Sequence, residues 1–282
     1  MVEFQLGIAL KPSRLGSSID EKRESLLRFI DLAYGVGVDC LVVDSERSLD
    51  DLRPSDVAEA VRRSESIGGP LVVPTVPVRR NDFENLFQEY LEELQGLEAA
   101  GLCLVAGNPA YLSSEEASRR PGSLLRFACR EAKRVLGDRP LLLGTENVEA
   151  VSRRICREVG CTPFLLLDVG VEDEACGFSS VSGGGVAVYA PFYIGVGVPE
   201  EASRVLISYA RRRRRLMAIE GGHIGLTSAL RVSLVGDVPE LAERIRRLGS
   251  SGVQLLVGFP AEASAGQVRS LALAARWDGE KG

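Results

Sequence analysis

Eight short apolar runs punctuate the chain, at residues 4–10, 38–43, 71–76, 102–106, 141–143, 164–167, 186–189 and 253–257. Each is rich in Val and Leu and bounded by Gly, Pro or charged residues, as strands buried on both faces are. Between them apolar residues recur at helical spacing. Residues 20–34 place Leu26, Leu27, Ile30 and Ala33 on one face, and residues 56–67 do so with Val57, Ala60 and Val61. A longer helix is expected over 81–100, opening on the cap-like NDFE, and others over 123–136, 148–159, 199–219, 239–248 and 261–276.

Strand and helix alternating eight times predict one α/β domain over residues 1–282, a (β/α)8 TIM barrel, with an open doubly wound sheet as the alternative. Two units break the rhythm. The sixth offers the polar, glycine-rich VEDEACGFSSVSGGG where a helix is due. The seventh carries an insertion, since residues 198–252 must hold two helices and the irregular EGGHIGLTSALRVSLVG.

Composition narrows the function classes. A 282-residue chain with 45% hydrophobic and 26% charged residues can bury a large core. A formal net charge of -5 argues against a general nucleic-acid partner, whose usual requirement is a basic face. No run of 18 apolar residues and no basic, cleavable leader is present, which predicts a soluble cytoplasmic protein with no membrane association. Six cysteines without a C-x-x-C pair, beside a single histidine, argue against structural zinc. Cys40 and Cys103 read as small hydrophobes in strands, while a Cys156–Cys161 bridge is left open. One Trp, two Met and many Arg and Glu are compatible with a thermostable protein.

In a barrel of this class the reactive groups gather where strands end. That rule nominates Lys11, then Asp44, Ser45 and Glu46, then Arg79 and Arg80, Asn108 and Tyr111, Thr145, Glu146 and Asn147, Asp168, Tyr189 through Tyr193, and the GFP of residues 258–260. Singly, each has an ordinary reading as a cap, turn former or solvated charge. Acid or base work falls to Glu46, Glu146, Asp44, Asp168, Lys11 or a tyrosine, because His223 sits in the irregular seventh unit. Carboxylates after strands two, five and six could alternatively bind Mg²⁺. The run RRRRR at 211–215 reads as a charged helix end or as a site for an anionic tail; spanning more than a turn, it cannot all face one ligand.

The stretch VSLVGDVPELAERIRRLGSSGVQLLVGFP (232–260) resembles the C-terminal segment of the bacterial luciferase-like superfamily of flavin- and coenzyme F420-dependent oxidoreductases. GIALKP, GVGVDCLVVD and RPLLLGTENVEAVSRR fall in the order of that superfamily's strands. LVAGNPAYL and VAVYAPFY resemble a divergent archaeal-type group within it. The chain departs from the superfamily where strand two ends in DSER and where SSVSGGG replaces a phosphate loop. The resemblance implies FMN or coenzyme F420, hydride transfer to a small-molecule substrate, and no metal. It implies catalytic roles for Lys11, Glu46, Glu146 and Asp168, with the cofactor held by Asp44, Arg79, Asn108, Tyr189 and Tyr193. A cofactor-free or Mg-dependent lyase, a phosphate-substrate enzyme using Arg79 or Arg80, and a non-catalytic ligand- or partner-binding barrel stay open, as does a homodimer.

Overall fold

The computed structural model of the chain describes residues 4–45, 52–182 and 185–277. Among the described residues nine parallel strands run in chain order: β1 (Gln5–Leu10), β2 (Cys40–Val43), β3 (Leu71–Pro77), β4 (Leu102–Val105), β5 (Leu141–Gly144), β6 (Thr162–Leu166), β7 (Val186–Ile194), β8 (Leu234–Gly236) and β9 (Val253–Pro260). The first seven pair sequentially, β7 pairs with β9, and β9 pairs back to β1, which closes an eight-stranded α/β barrel. Strand β8 lies outside the ring, pairing with Phe192–Ile194 at the end of β7, of which Phe192 also pairs with Pro260 of β9.

The period of two along each strand splits the core into two layers. Ile8, Leu10, Leu41, Val43, Leu102 and Leu104 point out to the surrounding helices. Ala9, Cys40, Val42, Val73, Cys103 and Leu142 point into the barrel. Both sets are buried, so the runs carry no polar alternation. At the exit of β5 the inward position is Gly144, where a Cβ would meet Val105 Cγ1 at 2.8 Å.

Three expected elements change on folding. In the sixth unit the polar stretch forms a helix, Val171–Ser182, whose Val171, Ala175 and Phe178 are buried at helical spacing. Its acidic first turn, Glu172, Asp173 and Glu174, suits the positive end of the helix dipole, which the glycine-rich impression obscured. The helix expected over 199–219 breaks into Glu200–Ala210 and Arg214–Ile219, with the arginine run at the corner. The helix expected over 81–100 ends at Glu93, and the chain then turns through Gly96 at φ 78°. The insertion in the seventh unit holds the short helix Leu226–Leu230 and strand β8.

Candidate functional site at the barrel mouth

Strand register assembles the site. Leu10 pairs with Val43, so the next residues, Lys11 and Asp44, leave adjacent strands side by side, with Lys11 Nζ 3.7 Å from Asp44 Oδ2. Around them opens a cavity of about 390 Å³ at the C-terminal ends of the strands, within the roughly 300–1,000 Å³ typical of small-molecule sites. Val42, Thr75, Val105, Gly144, Phe164 and Leu166 form its floor.

Three nearly parallel rings make one wall. Tyr189 stacks on Tyr209 with centroids 6.2 Å apart at 20°, and on Phe259 at 5.9 Å and 17°. Phe164 meets Tyr189 edge-on at 6.1 Å. Cations face these rings: Lys11 Nζ and Arg14 lie 4.7 and 4.9 Å from the Phe259 centroid, and Arg213 lies 4.5 Å from that of Tyr209. The Tyr209 hydroxyl donates to the Leu167 carbonyl at 2.9 Å and lies 3.3 Å from that of Tyr189, which pins the ring to the ends of β6 and β7. Burial pushes its phenol pKa up, so it is a neutral donor.

The broken helix explains how one arginine of five enters the site. Arg213, in extended conformation at the break, is 4% exposed and ion-pairs with Glu146 at 2.9 Å. Its Nε is buried with no hydrogen-bond acceptor. Arg212 donates to the Tyr111 oxygen at 2.5 Å and to the Ser208 carbonyl, and Arg215 turns away to Glu174 at 2.7 Å. Among the described residues the wall carries Lys11, Arg14, Arg204, Arg212 and Arg213 against only Asp44 and Glu146, so its local charge is positive in an acidic protein. Asn147 at the exit of β5 also lines it, and is the one described non-glycine residue with positive φ, 61°.

Of the residues nominated from sequence, Lys11, Asp44, Asn108, Glu146 and Tyr189 line this cavity together, whereas Glu46 lies outside the described residues. Asn108 also accepts from Ala110 N at 3.0 Å and caps the short turn Pro109–Tyr111. Three residues expected to take part in catalysis or to hold the cofactor sit elsewhere. Arg79 directs its guanidinium at the backbone carbonyls of Ala106, Gly107 and Ala117, clamping the loop after β4. Asp168 accepts from Val169 N at 2.7 Å, Arg215 N at 3.1 Å and Leu216 N at 3.3 Å, tying the end of β6 to the first turn of Arg214–Ile219. Tyr193 is buried against the seventh unit, off the cavity wall.

Arg80 forms a bidentate pair with Asp82, and His223 is exposed away from the cavity. Sequence reasoning missed Arg14, Tyr209 and the inward turn of Arg213; the signal for the last was the apolar Tyr209–Ala210 step just before the run. Among the described residues no group of three or more His, Cys, Asp or Glu side chains converges to hold a metal ion, and no helix is long and apolar enough to cross a membrane.

Residues 28–266 match the model of DUF7388, a family of unknown function. The chain belongs to that family. Family membership therefore assigns no activity, and the sequence matches none of the curated proteins. Solved structures with the same fold include the coenzyme F420-dependent tetrahydromethanopterin reductase of Methanopyrus kandleri, 14% identical, with 96% of this chain and 97% of that chain covered at a TM-score of 0.67. The oxygenating constituent of 3,6-diketocamphane monooxygenase from Pseudomonas putida, a type II Baeyer–Villiger monooxygenase in complex with FMN, is 16% identical, covered over 97% of both chains at 0.66. The monooxygenase RslO1 of Streptomyces bottropensis is 16% identical, with 95% of this chain and 97% of that chain covered at 0.65. At these identities the likeness is one of fold.

Proposed function

We propose that this member of the DUF7388 family is a luciferase-like oxidoreductase that takes FMN or coenzyme F420 into the mouth cavity and acts on a small-molecule substrate. The observation that carries the reading is the wall of three near-parallel rings, Tyr209, Tyr189 and Phe259, set beside Arg212 and Arg213. A planar conjugated ring stacks on such a wall, and an anionic tail is stabilised by guanidinium groups. The buried Nε of Arg213 without an acceptor fits an acceptor supplied by a ligand. Both cofactors are bound by proteins of this fold.

When bound, either group supplies hydride-transfer chemistry. The chain's own side chains orient and exclude water: Tyr189 and Phe259 cover a ring face, while Lys11 with Asp44 offers a proton donor and acceptor at the rim of the wall. Glu146, held by Arg213, offers a second carboxylate.

Absorbance and fluorescence titration with FMN and with coenzyme F420, paired with melting-temperature shifts, tests this reading. Saturable micromolar binding of one of them is expected, weakened about tenfold by Tyr189→Ala, the equivalent of about 1.4 kcal/mol of lost stacking. Absence of saturable binding by either cofactor would overturn it.

A further inference from the structure

Three cysteines that the mouth site does not use meet at the other end of the barrel. Cys129 comes from the helix Pro121–Leu136, Cys156 from the last turns of Glu149–Val159, and Cys161 from the residue just before β6. Cys161 therefore sits where β6 begins, whereas the cavity residues Phe164 and Leu166 lie further along that strand toward the mouth. All three thiols are buried, at 0%, 1% and 4% exposure, and all are reduced. The Sγ atoms of Cys156 and Cys161 are in hydrogen-bond contact at 3.4 Å. Cys176, by contrast, is exposed and stands apart.

We propose that this cluster is an oxidisable site at which a hydroperoxide converts the Cys156 and Cys161 thiols to a disulfide, tying the helix end Glu149–Val159 to the start of β6. The geometry supports it directly. A disulfide needs sulfurs about 2.0 Å apart, so the two must approach by a further roughly 1.4 Å, which small χ1 rotations supply. Four residues, Arg157 to Gly160, separate Cys156 from Cys161, and Gly160, just past the end of the helix, takes φ 78°, a left-handed conformation that folds the chain back on itself.

The cluster also prepares one sulfur to react. Hydrogen bonds from Cys129 and then Cys156 favour the thiolate at Cys161 and lower its pKa, with Lys133 contributing in the same direction, while burial opposes them. The same contacts raise the pKa values of Cys129 and Cys156, which stay protonated as donors. Thiolate is the nucleophilic form, and Cys161 is also the more exposed of the two bridging residues, at 4% against 1%, so its sulfur is the first that peroxide meets.

The steps balance. The Cys161 thiolate attacks one peroxide oxygen, the O–O bond breaks, and the leaving oxygen departs as water after protonation, which leaves a sulfenic acid. The Cys156 sulfur then attacks the Cys161 sulfur and the hydroxyl leaves as a second water. Two thiols and one hydrogen peroxide become one disulfide and two waters; the thiols supply both electrons. Burial selects the oxidant class, because hydrogen peroxide is close to water in size, whereas a bulky aromatic disulfide reagent has no access to these sulfurs in the folded protein.

Peptide mapping of the folded full-length protein tests the proposal. The background is Cys176→Ser, which removes an exposed thiol from the tryptic peptide it would otherwise share with Cys161. After hydrogen peroxide treatment, alkylation and non-reducing trypsin digestion, peptide 155–157 should be found joined to peptide 158–204, and dithiothreitol should release it. The aromatic disulfide reagent should leave both cysteines unmodified until denaturant is added. In a Cys156→Ser variant the bridge should vanish, and dimedone present while the peroxide-treated protein is unfolded should trap a sulfenic acid on Cys161, which burial shields from the reagent in the folded protein. A bridge from peptide 127–130 carrying Cys129, or no loss of thiols before unfolding, would overturn the proposal. The mapping needs only the Cys176→Ser protein, so it decides the matter even where Cys156→Ser fails to fold. It reads no cofactor binding and is independent of the mouth-site proposal.

Discussion

The Arg213–Glu146 pair gives the sharpest test of how the mouth is built. Arg213→Met keeps an apolar stem against Tyr209 but removes the charge, leaving Glu146 without its 2.9 Å partner. At that separation and an effective dielectric near 20 the gross attraction is about 6 kcal/mol. Desolvation of the nearly buried arginine offsets much of this, and the Glu146 side chain is 34% exposed, so water screens it further. A net loss of about 2–3 kcal/mol follows, a fall of roughly 4–10 °C in melting temperature for a chain of this size. Urea unfolding of Arg213→Met, Glu146→Gln and the double variant closes a mutant cycle. Because Glu146→Gln alone strands a buried guanidinium, both single variants should be destabilised, and the double should be about 2 kcal/mol better than their sum. Additivity within about 0.5 kcal/mol would refute the pairing as the organising contact.

Tyr209→Phe keeps the ring but leaves the Leu167 carbonyl without its donor, so it should lower stability by about 1–2 kcal/mol in urea unfolding while ligand titration of the mouth changes less than threefold. Asp168→Ala removes a carboxylate that three backbone N–H groups share, and a loss of about 1–2 kcal/mol is expected, with Asp168→Asn partly rescued; lost turnover at unchanged stability would instead mark Asp168 as a proton-transfer group. Backbone hydrogen bonds from Ser113 and then Asn81 hold the Glu116 carboxyl below its ordinary value of 4.5. Its folded pKa is depressed, so its contribution is present above pH 4.5 and lost as pH falls through the lowered value; Glu116→Gln should flatten that part of the stability profile in acid titration.

The barrel was legible in the chain because its signal is local. A strand buried on both faces must be apolar at every position, and a crossover helix must be apolar on one, so eight runs and the helices between them appear in the residues themselves. The mouth was legible as a set of strand ends, and Lys11, Asp44, Asn108, Glu146 and Tyr189 are found together because parallel register carries neighbouring strand ends to one place. Three decisions lay beyond the sequence. Arg79 and Asp168 occupy strand-end positions like the others, yet their side chains satisfy backbone groups, and which groups need satisfying depends on loop paths that distant segments fix. Arg213 turns inward because the helix breaks there and Glu146, sixty-seven residues earlier, accepts its charge. The three rings of Tyr189, Tyr209 and Phe259 stack only after β7, the following helix and β9 have packed. Local pattern determined which elements form, while long-range packing and the demand to pair every buried polar group decided which side chains face the cavity.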